Sequence, residues 1–435
     1  MRVKPTHKPK APTRHDRTFH HQRAEYVENS FARHLAAGTI TEDDVSLLRE
    51  WIDEITVEND ISVSRSNKIA FNMVAWRRFI GPFRTNTIHD LHAGIKTLKT
   101  ATFDRRLFDK DMPVGSPQAG GDPSAAKPSG KTYKKNTIHD LIGLLKRFYR
   151  WMAESNYSEI DPKKLRAIKI PGKDRMTKTV DMIITPDEVE AIIRVCESPR
   201  DRALFGMLWD GGFRVVELGT LTWSQVHFDQ YGAVVNVNAK TEFARYVRLL
   251  GSSAYLAQWR DSYPCAISDD ALVFLTRTHR PVTYDVLAVQ LGKLTKKAGI
   301  SKRLTLHAFR HGRATDMLRH GIHETVLKKT LWGNASTKML GVYGHLTDAD
   351  IDNAMLASAG IRPREQTTSG TMDARECQQC LSVNAPTADL CWRCGSPLTE
   401  ESASTLEDLR REIEKTVEYR TALEAAVKNL ADTRS

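Results

Sequence analysis

Between Asp161 and Asp181 the chain places seven cations (Lys163, Lys164, Arg166, Lys169, Lys173, Arg175 and Lys178), interrupted by Pro162, Pro171 and Gly172. Such a stretch reads as a basic linker over 161–181 rather than as part of a core, so it divides the chain into at least two folding units. The length of 435 residues points the same way, since a single hydrophobic core rarely grows that large. Ahead of the linker, Phe31, Leu35, Val45, Leu48, Trp51, Ile52 and Ile55 recur at spacings of three, four and seven, as do Ile138, Leu141, Ile142, Leu145, Phe148, Tyr149 and Met152. That periodicity predicts an all-α domain over 25–160. A stretch rich in Gly, Pro, Ser and Ala at 111–131 reads as a disordered excursion between its helices. The hexapeptide NTIHDL occurs twice, at 86–91 and 136–141, and predicts two related helix starts, each with a threonine cap.

Behind the linker, Thr185, Pro186 and Glu188 spell an N-cap, a first-turn proline and a capping-box acid. The region 182–360 then mixes helices with two β-prone runs, Ala233–Val237 and Tyr246–Leu250, that flank a hairpin. Helices are expected around Tyr284–Ala298, His307–His320, His323–Leu331 and Asp348–Ala359, giving an α+β domain that is mainly helical with a small sheet. Toward the C-terminus, Cys377-x-x-Cys380 and Cys391-x-x-Cys394 are separated by ten residues. Two such knuckles supply four thiolates, a closed tetrahedral set for structural Zn2+, and predict a zinc ribbon over 373–399. Beyond it, 401–433 reads as one helix. Leu406, Leu409, Ile413, Thr416, Arg420, Leu423, Val427 and Leu430 follow a three–four spacing, which suits either a short coiled coil or a single amphipathic helix.

Lys plus Arg exceed Asp plus Glu by 64 − 53 = 11. This excess favours a polyanionic partner, nucleic acid before membrane. No apolar run approaches the roughly 20 residues that span a bilayer. Residues 1–24 form a basic arm, expected to be flexible and able to touch phosphates, and they lack the hydrophobic segment of a secretory signal. Cysteines paired as CxxC suit a reducing cytoplasm, with nucleoid-associated DNA as the place of action.

Breaking a phosphodiester without a metal needs a nucleophile, cations for the charge that builds on the phosphoryl oxygens, and a proton donor for the departing alkoxide. Arginine suits the second task through its permanently charged fork. Tyrosine suits the first when the product must be a stable ester that can be reversed without ATP. Three segments offer such groups: Asp210-Gly-Gly-Phe-Arg-Val-Val-Glu-Leu, then Leu306-His-Ala-Phe-Arg-His, then Leu331-Trp-Gly-Asn followed by Gly341-Val-Tyr-Gly-His. His307 and Arg310 lie three apart, hence on one helical face.

In this order the segments resemble the tyrosine recombinase (phage integrase) family. Its first box is matched by Gly212, Phe213, Arg214, Glu217 and Leu218, its second by His307, Arg310 and His311, and its third by Gly333, Asn334, Tyr343 and His345. The interval from Asn334 to Tyr343 is 343 − 334 = 9, as is usual in that family. Lys240 matches the family's hairpin lysine, and Arg245 stands where that hairpin commonly carries an arginine. The zinc-ribbon tail and the Trp-Gly-Asn form of the third box look like those of archaeal members.

The resemblance implies a helical core-binding domain in front of an α+β catalytic domain. It also implies a site-specific recombinase of the integrase or invertase type, which cleaves and rejoins DNA through a 3′-phosphotyrosyl intermediate with no metal or ATP in the chemistry. Tyr343 would be the nucleophile, Arg214 and Arg310 the phosphate clamp, His307 a hydrogen-bond partner that helps deprotonate Tyr343, and Lys240 the acid for the leaving 5′ oxygen. Glu217 would support Arg214. Expected partners are double-stranded DNA at attachment sites, a homotetramer on that DNA, and an accessory protein. Asn334 departs from the family, which usually has His or Trp there; adjacent Trp332 would take the role if the match slips by two. The competing class is a catalytically impaired DNA-binding protein derived from a recombinase.

Overall fold

The computed structural model describes residues 8–13, 19–20, 23–102, 132–174, 183–237, 244–337 and 372–432. In the last helix, side chains are described to residue 422 and at 424. The proposed excursion at 111–131, the helix around Asp348–Ala359, Lys240 and Tyr343 lie outside the described residues. The chain forms two compact units, one of His21–Thr177 and one of Met1–His20 with Lys178–Ser435.

The first unit is all helical: α1 (Glu25–Ala36), α2 (Glu42–Asn59), α3 (Val63–Trp76), α4 (Ile88–Thr100), α5 (Lys135–Glu154) and α6 (Pro162–Ala167). α2 starts where Thr41 and Asp44 exchange capping bonds of 3.1 and 3.0 Å. The apolar stripe of α5 turns Phe148 and Trp151 onto Trp51 and Phe83, with the Phe148 ring centroid 5.0 Å from both of the latter. Tyr149 is buried with them, its hydroxyl donating to the Phe83 carbonyl (3.0 Å) and accepting from Asn86 (2.9 Å); burial pushes its phenol pKa up.

The supposed linker is partly folded. Asp161 caps α6 through the Lys163 amide (2.7 Å), and Leu165 and Ile168 are buried in the helical core while Lys146 holds the Ile168 carbonyl. Two apolar residues three apart outweigh the surrounding charge, which stays in solvent. The NTIHDL repeat also divides. Thr87 caps α4, whereas Thr137 lies inside the first turn of α5, which begins two residues earlier.

The second unit opens with α7 (Pro186–Arg194), capped by Thr185 and Glu188 as the sequence predicts, then α8 (Pro199–Asp210) and the short α9 (Val215–Gly219). Three antiparallel strands follow in the order β1 (Val226–Asp229), β2 (Gly232–Val237) and β3 (Arg245–Leu249). The pairs Val226–Val235 and Val235–Val247 fix the register, so β1 extends the predicted hairpin into a sheet. α10 (Ser253–Asp261), α11 (Tyr284–Lys297), α12 (Leu306–Arg319) and α13 (Glu324–Trp332) complete the body. α8 lies at its centre, with Ala203 to Trp209 all buried. Among the described residues no helix is long and apolar enough to cross a membrane.

The N-terminal arm is not free over its described part. The Pro9 and Pro12 carbonyls accept from the Ala266 and Leu272 amides (2.9 and 3.0 Å), and the Phe19 carbonyl accepts from Tyr284 (2.9 Å). Ala11 and Phe19 are each 5% exposed and belong to this unit's core. Burying Phe19 alone contributes about 2 kcal/mol, which counting charges along the arm could not anticipate.

The cysteine module carries the two-stranded ladder β4 (Arg375–Glu376) and β5 (Val383–Asn384). It rests on the same body: Met372 and Ala385 join the core, and the Tyr255 hydroxyl meets Thr387 Oγ1 at 2.6 Å. The helix α14 (Glu400–Asp432) follows, with Leu409, Ile413 and Val417 exposed.

Candidate active site

α8 ends in a turn that the sequence Gly211-Gly212 makes necessary. Gly212 adopts φ +55°, a left-handed conformation that side chains other than glycine rarely take. The turn sets Arg214 as the N-cap of α9, with its side chain 37% exposed. Glu217, one turn on, accepts from the Arg214 amide (2.7 Å) and from Arg214 Nη1 (2.9 Å), so backbone and guanidinium are fixed together.

The same carboxylate takes a second arginine. Arg245 Nη2 donates to Glu217 Oε2, while Arg245 Nη1 donates to the Thr330 and Leu331 carbonyls, both at 2.8 Å. Arg245 is 2% exposed, and burial lowers its pKa against the opposing pull of Glu217. Guanidinium nevertheless stays charged in proteins. The sequence assigned Arg245 no role, although a signal was present: Arg245, Val247 and Leu249 share the inward face of β3. An inward arginine on a strand requires a buried acceptor, and Glu217 is that acceptor.

Arg310, on α12, is 1% exposed. Its Nη1 donates to the Gly212 carbonyl (2.7 Å) and its Nη2 to the Leu331 carbonyl. Leu331 therefore receives both Arg245 and Arg310, at the C-terminal end of α13 where helix carbonyls lack intrahelical partners and the dipole favours cations. Through these bonds the first box, the hairpin, the second box and the third box share one frame. The Arg310 guanidinium also lies 5.3 Å from the Trp332 ring centroid. His307 stands exposed in the first turn of α12, its ring edge-on to His311 at 4.7 Å.

α13 closes on Gly333 at φ +74°, and Asn334 follows half-buried. Asn334 Oδ1 accepts from both the amide and the hydroxyl of Ser336 at 2.8 Å. Because a backbone amide can only donate, this fixes which face of the side chain is oxygen and leaves Nδ2 as the group that can donate elsewhere. Trp332 is instead drawn against Arg310.

Below the site, Asp210 Oδ2 accepts from the amides of Leu250 and Ser252 and from the Ser252 hydroxyl, all at 2.9 Å. It ties the end of α8 to the exit of β3.

The four cysteine sulfurs lie within 4.8 Å of one another, with Cys377–Cys394 and Cys380–Cys391 both at 3.6 Å. Tetrahedral zinc with Zn–S bonds of about 2.3 Å requires S···S separations of roughly 3.8 Å, so the set fits that ion. Hydrogen bonding with the Ser396 side chain and backbone brings the Cys394 thiol down to about 6.

Residues 182–350 match the model of the phage integrase family. The tyrosine recombinase XerD of Oceanobacillus iheyensis is 30% identical over 223 residues, covering 49% of this chain and 72% of that protein. The tyrosine recombinase XerC 2 of Ralstonia nicotianae is 25% identical over 233 residues, 51% of this chain and 64% of the relative. Among solved structures, the Tn1549 transposon integrase in complex with circular intermediate DNA has a TM-score of 0.50 at 16% identity, covering 71% of this chain and 98% of the other. A lambda integrase dimer bound to a COC′ core site has a TM-score of 0.50 at 13% identity, covering 69% and 77%. At those identities the structural likeness establishes the fold. The chain belongs to the phage integrase family of tyrosine recombinases. It is an enzyme, a site-specific DNA recombinase that breaks and rejoins strands.

Proposed function

We propose that the site cleaves one strand of duplex DNA by attack of the Tyr343 hydroxyl on a phosphorus. The new bond joins Tyr343 Oη to the 3′ phosphate, the bond from phosphorus to the 5′ oxygen breaks, and that oxygen leaves as a hydroxyl once protonated. Arg214 and Arg310 stabilise the charge on the non-bridging oxygens. His307 hydrogen-bonds the phosphate and assists loss of the tyrosine proton, and Lys240 protonates the 5′ oxygen. Asn334 donates Nδ2 to a phosphoryl oxygen where relatives in the family usually carry His or Trp; an amide serves as donor but moves no proton at neutral pH. Rejoining is the reverse reaction with a new 5′ hydroxyl, so neither ATP nor a catalytic metal enters the balance.

The observation that carries this reading is the shared frame at the end of α13, where Arg245 and Arg310 converge on Leu331 while Glu217 fixes Arg214. Preorganised cations stabilise transition-state charge without reorganising at the moment of reaction. The role of Tyr343 is supported by its interval from Asn334, and that of Lys240 by its match to the family's hairpin lysine. A nicked suicide duplex tests the assignment, since the cleaved end drifts away and traps the adduct. The native chain forms a covalent protein–DNA adduct and Tyr343→Phe forms none. An adduct with Tyr343→Phe, or its absence with the native chain, sinks the assignment.

The substrate in this reading is double-stranded DNA at attachment sites, bound by a homotetramer because strand exchange needs two duplexes with two cleavages each. An accessory protein that selects direction belongs to the same proposal, as does action on cytoplasmic, nucleoid-associated DNA. Cys377, Cys380, Cys391 and Cys394 hold a structural zinc ion that keeps the ribbon folded and takes no part in bond chemistry. An impaired DNA-binding descendant is disfavoured by the intact frame around Arg214 and Arg310.

A further inference from the structure

α9 is five residues long, too short to hold its own conformation, since a helix gains little until several hydrogen bonds follow the costly first turn. It must be supported at both ends. Glu217 and Arg245 secure its N-terminal end, where Arg214 sits. Its C-terminal end meets the N-terminal segment of the chain. A methyl group built at Gly219, the last residue of α9, would overlap the Phe19 ring, so that ring lies flush against the helix backbone. Phe19 is held there by its own carbonyl, which accepts from the first amide of α11, and by His20, whose ring centroid lies 5.6 Å from that of Tyr284.

A second route reaches the same helix. The Leu272 amide donates to the Pro12 carbonyl (3.0 Å). The Ala271 carbonyl accepts from Trp223 (3.0 Å), and the Val273 amide donates to Leu221 (2.8 Å), two residues beyond α9. The arm therefore braces the 271–273 segment, which braces the exit of α9. Lys8 closes the far end by donating to the Tyr263 carbonyl at 2.8 Å.

We infer that Phe19 is a positioning residue for Arg214: the N-terminal segment is a working part of the catalytic unit, clamping the short helix that presents the arginine. This rests on the reading of Arg214 as a phosphate ligand. The arm's cations are then incidental to its main task, and its removal harms the chemical step more than it harms DNA binding.

The test uses the full-length chain with Phe19→Ala, Phe19→Leu, Gly219→Ala and the double variant Phe19→Ala/Gly219→Ala. Two readouts are taken: amide hydrogen exchange across 214–220, and single-turnover adduct formation on the nicked duplex beside the DNA dissociation constant. Phe19→Ala is expected to speed exchange in α9 and to slow adduct formation at saturating DNA by roughly tenfold or more, because small misplacements of a reacting group are costly. DNA affinity stays within about twofold, since many other cations hold the duplex. Phe19→Leu recovers most of the rate by refilling the slot. Gly219→Ala, whose methyl displaces the ring, slows the reaction similarly, and the double variant is no slower than Phe19→Ala, which marks one shared contact.

Unchanged exchange in α9 overturns the inference whatever the adduct assay gives. So do rate losses that simply add in the double variant, or affinity and rate falling by one factor with no recovery in Phe19→Leu, which would make the arm a DNA contact. Faster exchange in α9 with no effect on a working cleavage reaction also overturns it, leaving a bracing contact without a positioning role; the role of Arg214 itself fails separately, if Arg214→Ala cleaves at the native rate.

Discussion

Each unit buries a carboxylate against arginine, and the two networks are built to different ends. In the helical unit Asp44 is fully buried, taking Arg77 Nε (2.8 Å) and the Thr41 amide on one oxygen and the Phe83 amide (2.7 Å) on the other. Arg77 spends another donor on the Ile80 carbonyl (2.6 Å), and the pair is one cation to one anion. In the catalytic unit Glu217 is shared by Arg214 and Arg245, two cations on one anion, an excess of 2 − 1 = 1. One of those cations is buried and the other is partly open to solvent. A closed pair needs nothing more. An open triad with surplus positive charge suits an anion such as the phosphate proposed for it.

The largest effect is expected from breaking the closed pair. Asp44→Ala strands the Arg77 charge and should cost about 3–5 kcal/mol in stability, read as a fall in the urea midpoint. Adduct formation per folded, DNA-bound molecule should stay near that of the native chain. If cleavage disappears while the unit remains folded, the two networks are not separable as described.

Glu217→Gln attacks the open triad. The amide keeps one acceptor but turns an NH2 toward a guanidinium, loosening Arg214. The adduct rate should fall about 100-fold, equivalent to roughly 2.7 kcal/mol in barrier height, with a smaller loss of stability than Asp44→Ala. Equal stability losses with cleavage intact would make Glu217 a second structural pair and remove the contrast.

Metal removal comes next. A strong chelator should release one zinc ion per chain and lower stability by roughly 2 kcal/mol, as the Tyr255–Thr387 bond and the burial of Met372 and Ala385 are lost. Adduct formation should change by about twofold or less, because among the described residues the ribbon contributes no group to the frame around Arg214. The sign with pH follows from Cys394. Without metal its thiol is depressed to about 6 while that of Cys377 is raised to about 11, so zinc binding must expel protons and weakens as pH falls. A zinc affinity that does not fall with pH, measured by metal titration, would contradict this.

How much of this was legible in the residues depends on whether one segment or several decide the outcome. Thr185-Pro186-x-Glu188 carries its own cap and starts α7 as read. The order of the three boxes is likewise linear information, and it singled out Arg214, His307, Arg310 and Asn334 as candidates. The contacts of Arg245 with Thr330 and Leu331, 85 and 86 residues away, could not be read from spacing. Nothing in the basic tail marks Phe19 as a core residue, because its slot is made by the distant Gly219. Leu165 and Ile168 were hidden by the lysines around them. Sequence reveals a demand, such as an inward arginine or a cap, more readily than the distant group that meets it.

The NTIHDL repeat gives the smallest and cleanest version of that point. In the first copy Thr87 Oγ1 accepts from the Asp90 amide and Asp90 Oδ2 accepts from the Thr87 amide (2.8 Å), a closed capping box at the start of α4. In the second, Lys134 is already the N-cap of α5. Asn136 there exchanges two bonds with Asp174, at 2.9 and 2.8 Å, a partner the first copy lacks; Asn86 instead reaches Tyr149. The same six residues therefore start one helix and sit within another, because the residues before them differ: Arg84 and Thr85 belong to a 3-10 turn, whereas Lys134 and Lys135 lead into helix. Thr87→Ala should cost about 1 kcal/mol, as losing an N-cap does, while Thr137→Ala should be nearly neutral since alanine is the better helix former. Urea titrations of the two variants read the difference directly. Equal costs would mean that Thr137 does capping work that the start of α5 at Lys135 rules out.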